Sequence, residues 1–296
     1  MIDPSSPEDK AFDVSDLAPL DQLPEPYLHL RATSGWQALN LGQLWRYRDL
    51  LMALAQRDVK LRYRQTALGV VWVLLQPLLA AGIFAFVFGK VAKLPSDGLP
   101  YFVFSYAGLL GWNAFNSTVT KASGSMVGNI NMVSKVFFPR LVLPLATVLS
   151  TLIDFGVALA LMVVLMEMFH VAPHPGLLLL PVWLLLLLML SLGIGLASAA
   201  LTVSYRDTQY MLPVLLPFMM YASPVAYDTS AVPVKLRIIY YLNPVSGLLD
   251  GFRWSLLHTA SPSPAAVAYS SAFAAASLLA GAFVFRRMER RFADVI

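Results

Sequence analysis

From Leu177 to Val203 the chain carries no charged side chain, and Leu177–Leu190 carries no polar one. The hydrocarbon core of a bilayer is about 30 Å thick, and about 20 apolar residues in a helix cross it. Lipid offers no partner to a backbone N–H or C=O, so only helices and closed barrels span it. Barrel strands alternate apolar and polar positions, and this run does not alternate. Composition agrees: 58% of the residues are hydrophobic and 13% charged, against about 45–50% and about 25% in soluble domains. A water-soluble enzyme and a disordered chain are both excluded. The fold class is an all-α integral membrane protein.

Six spans are expected, at 67–89, 101–120, 141–166, 177–203, 209–226 and 264–285. Pro77 should kink the first, and the shorter fifth holds Pro213, Pro217 and Pro224. Ahead of them lies a different kind of sequence. Residues 1–30 hold seven acids, one base and five prolines, too little apolar surface to fold. We expect an acidic disordered tail over 1–40, without the basic start and apolar stretch of a signal peptide. Residues 41–66 should form an amphipathic interface helix. At 100° per residue Arg46, Asp49, Gln56, Arg57, Lys60 and Arg64 share one arc, and Leu44, Tyr47, Leu50, Leu51, Leu54, Val59 and Leu61 the other.

Placing the N-terminus inside puts fourteen bases beside spans on the inner side. Five fall outside: Lys90, Lys93, Lys235, Arg237 and Arg253. That asymmetry favours both termini in the cytoplasm. The outer segment 227–262 is too apolar for a plain loop and is broken by Pro233, Asn243-Pro244 and Gly247. Thirty-six residues do not make two further spans. We expect two short re-entrant helices forming an outer gate, with Pro224, Asn243 and Pro244 at its breaks.

Chemistry-bearing residues are few. The chain has no cysteine, which removes disulfides, thiolate metal sites and cysteine nucleophiles together. His170 and His174 are separated by Pro173 and share no helix face, so no metal site is expected. No Ser-His-Asp grouping emerges. Asp154 is the only acid deep in a span, a position that is functional by default. It suits a structural acceptor facing another helix; a proton relay would want a partner acid, His or Lys at the same depth, and none is evident. No G-x-x-x-x-G-K-[ST] phosphate loop occurs, and the nearest approach, Gly82 to Gly89-Lys90, has the wrong spacing. Ser191, Gly195 and Ala199 recur every fourth position in span four, a pattern that lets helices pack closely.

Several local sequences resemble a known family. Gln56-Arg57-Asp58-Val59-Lys60-Leu61-Arg62-Tyr63-Arg64, then Leu68-Gly69-Val70-Val71-Trp72 and Gln76-Pro77-Leu78, are similar to the approach to the first span of type 2 ABC exporter permeases that move polysaccharides. Asn131–Arg140 with Leu143-Pro144-Leu145 resembles the segment between spans two and three. Arg206-Asp207, Ser223-Pro224-Val225-Ala226-Tyr227 and Asn243-Pro244 resemble later landmarks, in the same order, over about residues 43–290. The acidic tail departs from the pattern.

The resemblance implies a homodimer paired with two copies of a separate ATPase that binds ATP and Mg, so that this chain needs no cofactor and is no enzyme. It implies a bacterial inner-membrane exporter of a lipid-linked polysaccharide such as O-antigen, teichoic acid or capsule. Arg57, Asp58, Arg62, Arg64, Asn131, Lys135, Arg140, Arg206 and Asp207 would couple it to the ATPase. A polymer path must bind weakly at many points, and aromatic faces suit sugar rings. Trp72, Phe84 and Phe88 of span one, Phe218 and Tyr221 of span five, and Tyr227 at the mouth are the candidate lining. Rival readings are the same architecture exporting a small hydrophobic compound or lipid, an ion-coupled carrier using Asp154, which should show inverted repeats, and a membrane glycosyl- or acyltransferase, which should show a polar catalytic cluster.

Overall fold

The computed structural model describes residues 41–64, 70–205, 207–289 and 292. The expected tail and Arg206 lie outside these residues, as do the side chains of Arg62, Arg64 and Trp72. Among the described residues every regular element is helical. Four helical stretches are long and apolar enough to cross a membrane: Leu74–Val91, Val142–Met168, Pro175–Ser204 and Pro264–Glu289.

Two helices start the described chain, α1 (Leu41–Arg46) and α2 (Arg48–Arg64). Where a single interface helix was expected, the backbone turns at Tyr47, whose N–H donates to Leu44 O. Part of the apolar arc of α2 packs on protein rather than lying free: Leu54 and Ala55 are buried with Val133, Phe138, Leu141 and Val142.

Helix α3 (Val70–Phe84) contains Pro77 and continues as a π-helix, Ala85–Val91. Helix α4 (Tyr101–Gly124) is the centre of the molecule. It packs against α3, α6 (Val142–Met168), α7 (Leu180–Ser204) and α10 (Pro244–Leu257). Between Tyr101 and Gly124 only Thr120 is exposed. That enclosure explains a composition too polar for a lipid-facing helix. Tyr106 donates to Ala158 O at 3.0 Å, and the Ser123 and Thr202 hydroxyls lie 3.4 Å apart, tying α4 to α6 and α7.

Lipid gives helix association no hydrophobic drive, so close approach by small residues does the packing. Gly195 of α7 meets Ala122 of α4 so closely that an added Cβ would lie 2.7 Å from the Ala122 Cβ. Ser191 and Ala199 are fully buried beside it. The tightest crossing, between α7 and α11 (Pro264–Glu289), rests on a second glycine pair: a Cβ on Gly281 would meet Gly193 O at 2.0 Å.

Short elements complete the chain. Helix α5 (Ile130–Lys135) follows α4, and α8 (Thr208–Tyr221) follows α7. Helix α9 (Arg237–Tyr241) and α10 occupy the segment expected to hold two short helices. They differ sharply in surroundings: α9 leaves Ile238 and Ile239 exposed, whereas α10 is buried over most of its length.

Candidate functional site

After Tyr221 the helix gives way to the turn Ala222–Tyr227, whose carbonyls lack helical donors and are met by three side chains from α4 and α10. Tyr101 donates to Ala226 O at 2.6 Å, and its ring lies over Gly89, where an added Cβ would approach it to 2.8 Å. Asn243 Nδ2 donates to Ser223 Oγ at 2.8 Å and Ala222 O at 3.3 Å. Its Oδ1 accepts from Val245 N at 3.1 Å, an N-cap followed by Pro244 in the first helical position. The expected Asn-Pro break is thus the start of α10.

The third donor is Arg253. Counted above among the outer-side bases, it is 1% exposed. Its Nη2 donates to Val225 O at 3.0 Å and to Pro224 O, and its Nη1 to Tyr227 O at 3.4 Å. The guanidinium carbon sits 4.0 Å from the Phe104 ring centroid. Gly108 leaves the room: a Cβ there would meet Val225 O at 2.2 Å and Arg253 Nη2 at 2.6 Å. Burial lowers the basicity of Arg253, while Asp250 and Asp228 oppose that shift. Burial also pushes the Asp250 carboxyl up to about 6, against the pull of Arg253 and the Thr229 hydroxyl. Tyr240, half-buried nearby, is shifted up by the same cause. Sequence reasoning missed Arg253, although the three-residue spacing of Asp250 and Arg253 on one helix was a usable signal.

At the other end, a cavity of about 450 Å³ opens between α2, the end of α4 and α6. Arg57 and Asp58 pair at 2.8 Å, and Arg57 Nη2 donates to Asn129 Oδ1 at 2.8 Å, linking α2 to the turn before α5. Across the cavity Lys121 Nζ lies 2.8 Å from Asp154 Oδ2 and 3.3 Å from Ser150 Oγ. The expectation that Asp154 has no cationic neighbour at its depth is therefore corrected: a lysine counted at the end of span two reaches back along α4 to it.

The remaining candidates are not brought into one place. Asn131 and Lys135 are exposed on α5, with Ile130, Val136 and Phe137 exposed around them. Arg140 is not free-standing: Nη1 donates to Glu289 O at 2.8 Å, and the guanidinium lies over Phe292. Asp207 is exposed ahead of α8. Phe218 and Tyr221 project from α8 at 70% and 58% exposure, and on that helix only Leu216 is buried. Tyr227 is half-buried and donates to Tyr221 O at 2.9 Å. Phe84 must be withdrawn as a lining residue. It is buried in the core, edge-on to a partly buried Phe88, while the exposed face of α3 and its π-helical continuation carries Ile83, Phe86 and Val87.

The histidines hold a contact that the sequence did not suggest. His174 stacks on His258 with ring centroids 3.8 Å apart, joining the turn before α7 to the end of α10. Among the described residues no cluster of three or more His, Cys, Asp or Glu side chains could hold a metal ion.

Apolar helices around a polar-cored central helix, with charged cavities at both ends, define a multi-pass membrane protein with no enzyme-like cluster among the described residues. Comparison with known proteins gives the class. Residues 49–257 match the ABC-2 type transporter family. The chain is 30% identical over 256 residues to the O-antigen export system permease protein RfbA of Myxococcus xanthus, covering 86% of this chain and 98% of that one. It is 26% identical over 259 residues to the protein of the same name from Klebsiella pneumoniae, at 87% and 97% coverage. It is 25% identical over 249 residues to the polysialic acid transport protein KpsM of Escherichia coli, at 80% and 92% coverage. The chain belongs to the ABC-2 type transporter family.

Proposed function

We propose that this chain is the membrane subunit of an ATP-driven exporter that moves a lipid-linked, O-antigen-like polysaccharide across the bacterial inner membrane. It works as a homodimer with two copies of a separate ABC ATPase, which bind ATP and Mg. In this reading α4 and α8 join the four apolar stretches as spans, α9 and α10 are the outer gate, and both termini face the cytoplasm. Enclosure by protein frees α4 from the need for an apolar surface.

Helix α8 carries the reading. It exposes Tyr210, Met211, Val214, Phe218 and Tyr221. Pro213 and Pro217 have no N–H to give to the carbonyls of Gln209 and Pro213. Against hydrocarbon such carbonyls cost several kcal/mol each; beside a water-filled path they are solvated. An aromatic, proline-broken face therefore suits the wall of a hydrated conduit shared between two copies. The names of the relatives supply the cargo class. On the inner side, the apolar tips Ile130, Val136 and Phe137 with Asn131 and Lys135 suit docking to the ATPase, together with Arg57, Asp58, Arg62, Arg64, Arg206 and Asp207. Arg140 acts there through its hold on the end of α11. Asp154 anchors α6 to α4 through Lys121.

Thiol labelling tests this directly, because the wild-type chain has no cysteine. During turnover Phe218→Cys and Tyr221→Cys should react with a small water-soluble reagent, and Leu185→Cys, on an exposed apolar face of α7, should not. Equal protection at all three positions with export of surface glycan intact overturns the conduit. Absence of glycan export from cells carrying this chain and its ATPase overturns the cargo.

A further inference from the structure

A second cavity, of about 190 Å³, lies between the turn after Tyr227, α9, α10 and residues 259–262. Its walls include Asp228, Asp250, Arg237, Arg253, Tyr241 and Thr259. At about 30 Å³ per liquid water it has room for about six waters, the scale of one sugar ring.

The hydrogen-bonding of its walls is incomplete in two opposite senses. Asp228 Oδ1 accepts from Ser230 N at 2.7 Å, and Oδ2 has no donor among the described residues. Asp250 receives one hydroxyl, that of Thr229, shared between its two oxygens at 3.0 and 2.8 Å. Each carboxylate has lone pairs left to accept a further donor from the cavity. Arg253 is short of an acceptor: its Nη atoms go to the turn carbonyls, and its buried Nε has none. Arg237 is committed to Val232 O and Ser230 O.

Each simple ligand fails half of this requirement. A metal ion accepts nothing from a guanidinium and would sit beside two of them. A phosphate or carboxylate donates nothing and would face two carboxylates. A hydroxyl both donates and accepts. Adjacent hydroxyls on one ring answer both shortages, and Tyr241 offers a flat face to the ring's C–H surface. Two acids against two bases leave no net charge to offset the desolvation of an ionic ligand, which favours a neutral one.

We propose that this cavity is a subsite for one neutral pyranose ring of the emerging glycan, its adjacent hydroxyls donating to Asp228 and Asp250 and accepting from Arg253. The assignment rests on the export reading above and adds to it a preference for neutral over acidic sugars at the mouth.

The test uses Ser261→Cys, on the exposed rim of the cavity, in purified full-length protein. Labelling of the introduced thiol by a water-soluble maleimide is timed with and without methyl glucoside, methyl mannoside or methyl galactoside. For a site with a dissociation constant of about 1 mM, about 10 mM of a fitting pyranoside slows labelling about tenfold. Methyl glucuronide should protect much less. Asp250→Asn should abolish protection, and Asp228→Asn, on a separate element, should do the same if the first variant folds poorly. No slowing by any neutral pyranoside means a cavity that holds only water and overturns the subsite. Protection that survives both variants also overturns it, as does protection by sulfate or calcium in place of sugar. The export reading is judged separately, from surface glycan in cells: export with an unprotected thiol refutes the subsite alone, and protection without export refutes the cargo alone.

Discussion

Replacing Arg253 by methionine keeps much of the apolar stem of the side chain and removes every donor. Val225 O and Pro224 O then lose a charged donor outright, and Tyr227 O loses a long one. Net contributions of hydrogen bonds to charged groups are about 1.5–3 kcal/mol each. The contact with the Phe104 face, at 4.0 Å, adds up to about 2 kcal/mol where it is desolvated. Against these stands relief from holding a guanidinium away from water, which costs several kcal/mol. The balance follows the general result for removing one side of a buried charged contact, a loss of about 3–5 kcal/mol. At about 2 °C per kcal/mol for a chain of this size, thermal unfolding of purified Arg253→Met in detergent should come about 8 °C below wild type. Arg253→Lys should fall between, about 4 °C down, because an ammonium lacks the planar fork that reaches several carbonyls and stacks on a ring. A methionine variant melting within about 2 °C of wild type would mean that the turn carbonyls find other donors, and the account of that turn would be wrong.

Two further outcomes follow from packing and charge. Gly281→Ala places a Cβ 2.0 Å from Gly193 O, so α7 and α11 must move apart at about 1–3 kcal/mol or more. Gly156→Ala, where nothing lies within 4 Å, should instead stabilise by up to about 1 kcal/mol, and equal melting of the two variants would refute the crossing. For Asp250, a carboxyl raised from 3.8 to about 6 in the fold favours folding while it is protonated and loses that advantage as pH rises through about 6. The melting temperature of wild type relative to Asp250→Asn should therefore fall between about pH 4 and pH 7 and stay level above; a rise over that window contradicts the buried carboxyl.

Much of the fold could be read in the chain because lipid imposes simple demands. The long apolar runs and the Asn-Pro start of α10 are each set by local chemistry, whereas Pro213 and Pro217 sit inside the continuous helix α8. Rotation about a helix axis was not legible where both faces are apolar. Phe84 and Phe86 look alike in sequence, yet one is buried and the other 60% exposed. Partnerships between distant segments were hidden for a related reason. Lys121 and Asp154 sit 33 residues apart, and nothing local sets the register between α4 and α6. The burial of Arg253 was not legible because a count of bases assigns a side of the membrane and says nothing of solvation. Its burial depends on Gly108 and on a turn 28 residues earlier.

The central position of α4 bears on how the protein is made. Ser105, Asn113, Asn116, Ser117, Thr118 and Lys121 make this helix a poor candidate for partitioning into lipid alone, since each polar residue at mid-depth opposes insertion. Its enclosing neighbours α6, α7 and α10 all come later in the chain. With α4 as a span, as proposed above, it reaches the membrane during synthesis before the surfaces that make it tolerable there. In that reading it needs shelter until α6 and α7 emerge to enclose it. The interval between α4 and α7 is the window in which an incomplete chain is most exposed to quality control.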